Sequence, residues 1–258
     1  MHTRLFILLL LGTQLTLGQA VTIQGKITTT RSEFVNKSGK RNTDEGILPT
    51  GKIDIILPCT TIQIEHVAGS GRVAPVTKTI TYELAYSTIT GAKKCWLMQN
   101  LGSTRPPLSE TDNSEDASGW YWQFGSKAGY EYKTSRIPFT LSATWTGRTL
   151  TNVDWSANED PCTIELGTGW RIPTYAEWQT IALNNVYAYG SAIKLHNAGQ
   201  LLSNSGAVSK RGIGTYYWSQ DSNTSTLAFG FVIPIQQGNS NTSSENKNAG
   251  FSLRCIRD

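Results

Sequence analysis

The sequence predicts an α+β fold, with a small antiparallel sheet, one or two helices and long loops, preceded by a β-rich N-terminal extension. Three observations favour it. A helix start with good capping residues lies near Thr174, and short apolar or alternating segments separated by turn residues surround it. Charged residues make up only 16% of the 258 residues, below the usual quarter. Such a composition is typical of an extracellular, loop-rich β domain.

The best-defined element is the helix that begins after Thr174. Thr174 is a suitable N-cap, and Glu177 stands three residues later, so the two side chains can form a capping box. Pro173 disfavours helical backbone before the cap. Trp178 and Ile181 then begin an apolar stripe at helical spacing, which Ala182 and Val186 continue. We therefore expect an anchored helix start with one buried face.

Residues 1–20 are predicted to be an export signal. Arg4 supplies the positive charge, Leu5–Leu11 the apolar run and Gly18–Ala20 the small residues of a cleavage site. The run is too short to span a membrane, and no other long apolar stretch follows. We therefore expect no transmembrane segment and a protein that is secreted or displayed on the cell surface.

Residues 21–79 are predicted to form the β-rich extension, and residues 80–258 the main domain. The extension contains three strand candidates, Val21–Ile27, Ile53–Cys59 and Thr61–Val67. It carries no motif that indicates a function. A small subdomain and a stalk that joins another subunit are both open interpretations.

The main domain begins with a predicted β-hairpin. Its strands are Thr79–Tyr86 and Cys95–Met98, with a turn at Thr90–Gly91. Further along, alternation places Trp120 and Trp122 on one face of a strand and Tyr121 on the other. The remaining strands are expected to complete one small antiparallel sheet: Tyr216–Ser219, Leu227–Ile233 and Phe251–Ile256.

The four cysteines are predicted to form disulfides. Cys59, Cys95, Cys162 and Cys255 are an even number in an exported chain, and three connectivities are open. No C-x-x-C pair is present, which disfavours a zinc ribbon or a redox motif. We expect Cys255 to form a disulfide, because a disulfide that closes a long loop to a C-terminal strand contributes most to stability. The sequence leaves its partner open.

Four segments, taken in order, resemble the Fibrobacter succinogenes major paralogous domain family. They are KCWLMQNLG at Lys94–Gly102, GWRIPTYAEW at Gly169–Trp178, GTYYWS at Gly214–Ser219 and GFSLRCIRD at Gly250–Asp258. The resemblance implies a C-type lectin-like fold of the formylglycine-generating-enzyme branch over about residues 80–258. It also implies that the first and last strands, Ile80–Tyr86 and Phe251–Ile256, pair. The tryptophans inside these segments are expected in the core.

No catalytic group or cofactor is predicted. His66 and His196 stand outside any Ser/His/Asp context or metal-ligand spacing. The formylglycine-generating activity that the resemblance implies needs two close reactive cysteines, a spacing that Cys162 and Cys255 lack. The acidic run Asp112–Asp116 lacks the spacing of an EF-hand, so we assign no metal. A net charge of +4 is too weak and scattered to indicate a nucleic-acid partner.

The candidate binding residues lie mainly between Ser219 and Asn248. This stretch is rich in Asn, Gln, Ser and Thr, like the hydrogen-bonding loops of antibodies. The resemblance implies that this region forms the ligand-binding face, and that it can be a target of diversity-generating retroelements. A solvated loop without a ligand is the open alternative. Three aromatic side chains are added because aromatic rings stack on sugars. The candidates are Tyr121, Tyr216, Tyr217, Gln220, Asp221, Asn223, Gln236, Asn239, Asn241, Asn246 and Asn248.

The sequence thus favours an exported, non-enzymatic binding protein, adhesin-like or a variable receptor-binding protein, with an extracellular glycan or protein as its ligand. A structural subunit of a cell-surface assembly is the first alternative, with residues 21–79 supplying an assembly strand. A formylglycine-generating-type enzyme is the second. The identity of the ligand, the oligomeric state and the mode of surface attachment are open.

Overall fold

The computed structural model describes residues 59–132, 145–183, 189–233 and 241–258. In these ranges the chain is mostly antiparallel sheet with short helices, which confirms the α+β class. Of the strands predicted in the extension, Val21–Ile27 lies outside the described residues, as does Ile53–Cys59 except for its last residue. Across the described residues, none of the helices has the length and apolar character needed to cross a bilayer.

The elements follow one another as short strands interrupted by three helices in the described residues. The strands are β1 (Ile62–His66), β2 (Lys78–Tyr82), β3 (Leu84–Ser87), β4 (Lys94–Leu97), β5 (Trp120–Gln123), β6 (Gly129–Glu131), β7 (Trp170–Arg171), β8 (Gln200–Leu201), β9 (Val208–Ser209), β10 (Thr215–Ser222), β11 (Leu227–Ile233), β12 (Asn241–Asn246), β13 (Gly250–Phe251) and β14 (Ile256–Arg257). The helices are α1 (Glu115–Ser118), α2 (Pro161–Leu166) and α3 (Tyr175–Leu183).

The described strands form several small sheets rather than the single sheet that was predicted. β1 pairs with β2, and a four-stranded sheet has the order β3-β4-β14-β7. A five-stranded sheet has the order β6-β5-β13-β8-β9, and a three-stranded sheet has the order β10-β11-β12. Many of these strands are only two residues long. Such short strands leave little periodicity for a sequence pattern to show.

The predicted hairpin is confirmed, but the predicted pairing of the first and last strands is wrong. β3 and β4 pair antiparallel, with Tyr86 opposite Cys95. β14 pairs with the other edge of β4, where Arg257 lies opposite Cys95. β4 therefore lies between the two ends of the domain. Its last three residues are all buried, which suits a central strand.

The end of the chain also departs from the prediction. Phe251 lies in β13, opposite Trp122 of β5, whereas Ile256 lies in β14 of the other sheet. The third strand beside β10 and β11 is β12, which the sequence analysis treated as a loop. Asn, and to a lesser degree Glu, disfavours strands when taken alone. Six cross-strand pairs, from Leu227–Asn246 to Val232–Asn241, override that preference.

The described part of the predicted extension packs on the domain. The strand predicted at Thr61–Val67 is confirmed as β1, where Ile64 pairs with Ile80 of β2. Ile62 and Ile64 pack against the main hydrophobic cluster. Residues 59–77 are therefore continuous with the domain that follows them.

Both pairs of cysteines form disulfides, as predicted. Cys59 bonds to Cys95, and Cys162 bonds to Cys255, with Cα–Cα distances of 5.5 and 5.6 Å. The first bridge fixes the start of the described chain to β4. The second connects α2 to the segment between β13 and β14, which confirms that Cys255 is bridged.

The core is built largely from indole rings. The tryptophans of the four motif segments are buried, as predicted: Trp96, Trp170, Trp178 and Trp218. Trp120 and Trp122 belong to the main hydrophobic cluster, whereas Tyr121 points into a separate cluster with Trp145 and Leu201. The alternation predicted for β5 is thus confirmed.

The capping box of α3 forms as predicted. The backbone N–H of Glu177 donates to the Thr174 hydroxyl at 3.2 Å, and the Glu177 carboxylate accepts from the Thr174 N–H at 2.8 Å. Trp178 and Ile181 are fully buried, and the Trp178 ring stacks on Phe231 at 4.7 Å. Val186 lies outside the described residues.

Two short helices were not predicted. α1 has four residues and α2 has six, so neither shows a helical apolar period. Their caps are nevertheless good: Ser114 caps α1, and Asp160 caps α2 with Pro161 at its first position. Burial raises the pKa of Asp160 to about 6, against the three backbone N–H groups that lower it.

Candidate ligand-binding surface

The three-stranded sheet β10-β11-β12 is the scaffold of the candidate surface. Its central strand is covered on both faces. On one face, the Phe229 ring stacks on Tyr175 of α3 at 4.0 Å. On the other, Ala228 and Val232 belong to the main hydrophobic cluster. A strand packed on both sides holds its neighbours firmly, so β12 and the β10–β11 turn project from a rigid support.

Exposed polar side chains lie along the outer edge of this support. They are Asn223–Thr226 in the β10–β11 turn together with Ser244 and Asn246 on one face of β12 and Asn241 on the other face, opposite Val232. We call these seven residues the polar edge. The Asn223 amide donates to the Ser244 hydroxyl at 2.7 Å and so connects the turn to β12. The polar edge carries amides and hydroxyls with no ionisable side chain, a chemistry suited to hydrogen bonding with neutral ligand groups.

Gln220 and Asp221 lie outside the polar edge, on the side of the sheet that contacts other elements. The backbone carbonyl of Gln220 accepts the N–H of Trp155, and the Gln220 N–H donates to the Pro173 carbonyl, both at 2.9 Å. The Asp221 carboxylate accepts the backbone N–H of Tyr175 at 2.6 Å, at the first turn of α3. Burial raises the pKa of the Asp221 carboxyl above its ordinary value. Both residues are half-buried and hold the sheet to α3.

The three tyrosine candidates lie in the interior, which disfavours the stacking on a sugar that was expected of their rings. Tyr121 and Tyr217 are fully buried, and Tyr216 is 4% exposed. The Tyr121 hydroxyl donates to the carbonyl of Ala198 at 2.6 Å, and burial raises the pKa of Tyr121 to about 12. Apolar segments rich in Tyr and Trp contribute to the core here, so these three rings are covered by protein.

The last amide candidates have different positions. Asn241 and Asn246 lie on the polar edge, and Asn246 accepts the backbone N–H of Asn248 at 2.9 Å. Asn248 is half-buried, and its carbonyl accepts the Gln123 amide at 3.0 Å, so it fixes the turn after β12. Two candidates, Gln236 and Asn239, lie outside the described residues.

A cleft beside the polar edge was missed by the sequence analysis. It has a volume of about 190 Å³. The walls come from Phe124 and Gly125, from the irregular segment Arg148–Asp154, and from Glu159 and Lys247. One feature of the sequence could have pointed to this cleft: Lys247 is the only Lys or Arg between Ser219 and Asn248, a stretch otherwise rich in neutral polar residues.

The carboxylate of Asp112, in the acidic run, is hydrogen-bonded within the loop that precedes α1. Asp112 pairs with the Arg105 guanidinium at 2.7 Å and accepts the backbone N–H of Leu108 at 2.9 Å. Although burial opposes it, these bonds and those from Ser114 hold the pKa of Asp112 well below its usual value. The carboxylate is therefore occupied in ordering the loop before α1.

The histidines lie in the core rather than in a cleft. His66 is fully buried, with one ring nitrogen bonded to Glu165 and the other to the Tyr82 hydroxyl at 2.8 Å. His196 is fully buried too, and neither ring nitrogen finds a hydrogen-bond partner among the described residues. Burial lowers the pKa of His196 to about 3, so its ring is neutral at physiological pH.

Comparisons of this chain with family models, with curated proteins and with solved structures found no match. The resemblance to the Fibrobacter succinogenes major paralogous domain therefore stays a prediction that rests on the four motif segments.

Proposed function

We propose that this chain is an exported, non-enzymatic binding protein with a C-type lectin-like domain, and that it recognises an extracellular glycan or protein through the polar edge. One observation carries the proposal. Seven exposed amide and hydroxyl side chains stand on a strand and a turn whose neighbour, β11, is packed on both faces. Adaptable hydrogen-bonding groups on a rigid support are the arrangement of antibody loops.

The chemistry of the polar edge favours polar ligand groups. Its side chains offer both donors and acceptors and carry no charge, so they suit sugar hydroxyls or backbone amides of a protein. All four cysteines are in disulfides, which is compatible with an oxidising, extracellular location. We propose secretion or display on the cell surface on this basis, together with the export signal predicted at residues 1–20.

The polar edge also suits sequence variation. Asn223, Asn241 and Asn246 are exposed, and exposed positions tolerate substitution with little change in stability. We propose that the segment is diversified by a retroelement. A near-copy of its codons beside a reverse-transcriptase gene would support this idea, and a genomic neighbourhood without one would count against it.

Binding can be tested with the mature chain on glycan arrays and on intact cells. The test variant replaces Asn223, Asn241, Ser244 and Asn246 with Ala. Its matched control replaces four exposed polar residues of β1 and β2 with Ala: Gln63, Glu65, Thr79 and Thr81. We expect the test variant to lose at least tenfold in affinity for whichever glycan or cell the parent binds, with the control unchanged.

The outcomes separate binding from folding. Both variants change only exposed side chains, and the test variant also removes the Asn223–Ser244 hydrogen bond and the Asn246 acceptor, so thermal unfolding of each should be recorded and should stay within several degrees of the parent. Binding that survives in the test variant, or that is lost equally in both, would contradict recognition by the polar edge. A parent that binds neither glycans nor cells would remove the proposed function.

A further inference from the structure

The cleft beside the polar edge shares no residue with it and has a different chemistry. Its volume is about 190 Å³, less than the ~300 Å³ at which drug-sized ligand pockets begin. It suits a single sugar ring or a group of similar size. Two basic side chains, Arg148 and Lys247, contribute to its walls.

Lys247 is held at the base of the cleft. It is 1% exposed, and its ammonium donates to the Thr151 carbonyl at 2.6 Å and to the Ser222 hydroxyl. Its charge lies 5.0 Å from the centre of the Phe124 ring. An ammonium group has three N–H donors, and the described residues supply acceptors for two of them. Lys247 is therefore a fixed buried cation with one donor left.

Arg148 adds a second cation with unused donors. It is half-buried, and it donates one hydrogen bond, from Nη1 to the Phe124 carbonyl at 3.1 Å. Among the described residues, no carboxylate lies within ion-pair distance of its guanidinium. A guanidinium has five N–H donors in a planar fork that matches a carboxylate. Within the described ranges, the rest of this fork has no hydrogen-bond partner and faces the cleft that Arg148 lines.

Two carboxylates lie further out. Asp154 and Glu159 are exposed, and one Asp154 oxygen already accepts the backbone N–H of Ser222 at 2.7 Å. Exposed charges are screened by water and salt far more than buried ones. The cleft therefore holds two cations and two carboxylates: burial lowers the pKa of Lys247, the Asp154 carboxylate raises it, and the two cations are the more buried pair.

We propose that this cleft binds one hydroxylated carboxylate ring, the chemistry of a uronic acid. The carboxylate of the ring would lie between Arg148 and Lys247, and its hydroxyls would donate to Asp154 and Glu159. A free acidic sugar and an acidic residue of a glycan chain share this chemistry. The inference does not rest on the polar edge, because the two sets of residues are separate.

The test is a titration of the full chain, followed by amide NMR shifts, with sodium glucuronate as the probe. We expect saturable shifts for residues 149–154 and Lys247. Glucose, which lacks the carboxylate, and acetate, which lacks the ring, should each bind at least tenfold more weakly at the same ionic strength. An oligoglucuronate with affinity above that of the monomer would identify a glycan chain as the source.

Arg148→Gln is the test variant, because a half-buried residue with one hydrogen bond can change without unfolding the chain. Its matched control is Arg72→Gln, at an exposed arginine far from the cleft in sequence. We expect a loss of at least tenfold in glucuronate affinity for the first and none for the second. Glucuronate shifts elsewhere, equal binding of glucose, or an unchanged Arg148→Gln variant would overturn the proposal. The polar-edge variant should bind glucuronate normally, so failure here leaves the proposed function untouched.

Discussion

The guanidinium of Arg254 donates a hydrogen bond of 2.8 Å to the side-chain oxygen of Asn100, and both residues are fully buried. The same oxygen accepts the Tyr217 hydroxyl at 2.9 Å. Arg254 also donates to the Ile193 and Leu97 carbonyls at 2.6 and 3.1 Å. Three of the four motif segments thus meet at one buried polar site, which gives their residue choices a physical reason.

Arg254→Met should therefore be among the most destabilising single changes. Burial lowers the pKa of Arg254, and in the described residues its charge is compensated by carbonyl, amide and hydroxyl oxygens rather than by an ion pair. Without the guanidinium, several buried acceptors lose their donor, at about 1–3 kcal/mol for each group. We expect a loss of about 3 kcal/mol or more in the free energy of unfolding, measured by urea denaturation. Arg72→Met, at an exposed site, should stay within about 0.5 kcal/mol; a similarly small effect at Arg254 would contradict this account.

The two disulfides should differ in their contribution to stability. Cys162–Cys255 spans 93 residues, whereas Cys59–Cys95 spans 36. Removal of a native disulfide costs about 2–5 kcal/mol, and loop-closure entropy makes the longer loop worth about 0.8 kcal/mol more. Replacing Cys162 and Cys255 with Ala should thus lower the urea midpoint more than replacing Cys59 and Cys95. The reverse order would show that local packing outweighs chain entropy.

Some elements could be predicted from residues that are close together in the sequence. The capping box of Thr174 and Glu177 and the β3–β4 hairpin both depend on residues close in the chain, and both form as predicted. The class of fold follows from many short strands with few helices. Burial of the motif tryptophans follows from their size and apolar surface.

Long-range contacts explain what was missed. β12 reads as a loop because its sequence is NTSSEN, and only pairing with β11 makes it a strand. Asp221 stands in a polar segment like any surface residue, but its carboxylate accepts the N–H of Tyr175, which lies 46 residues away in the sequence. Arg254 and Asn100 are 154 residues apart. Such partners are fixed by tertiary packing, which no local pattern encodes.

His196 should make the fold sensitive to acid. Burial, followed by the nearby charge of Arg254, lowers the pKa of His196 to about 3 from its ordinary 6.5. Between these values the unfolded chain binds a proton that the folded chain does not. The contribution of His196 to the free energy of unfolding is therefore fully present above pH 6.5. It is lost as the pH falls towards 3, by at most about 1.4 kcal/mol per pH unit.

The measurement is a comparison of the parent with His196→Leu by urea denaturation between pH 4 and 7. Leu suits the site because the His196 ring has no hydrogen-bond partner among the described residues. The difference between the two free energies of unfolding cancels the other titrating groups. We expect the variant to gain relative to the parent as the pH falls; parallel curves would show that His196 takes up its proton in the folded state.

Changes to Ala between Ser219 and Asn248 should have two different effects on the free energy of unfolding. Residues that hold the sheet to α3 should be destabilised by the change, and residues of the polar edge should not. Asp221 accepts the backbone N–H of Tyr175 at 2.6 Å, so Asp221→Ala removes an acceptor from the first turn of α3. Loss of such a cap costs about 0.5–2 kcal/mol. Asn241 is exposed on β12, and Asn241→Ala should change the free energy of unfolding by less than about 0.5 kcal/mol.

Amide hydrogen exchange gives this pair of variants a local readout. The N–H of Tyr175 loses its partner only in Asp221→Ala, so its exchange should accelerate there and stay at the parent rate in Asn241→Ala. Asn241→Ala is then the matched control, because it removes a polar side chain from the same stretch without touching α3. Equal destabilisation by both changes, or an unchanged Tyr175 exchange rate in Asp221→Ala, would contradict the division into a sheet that holds α3 and a polar edge free to bind.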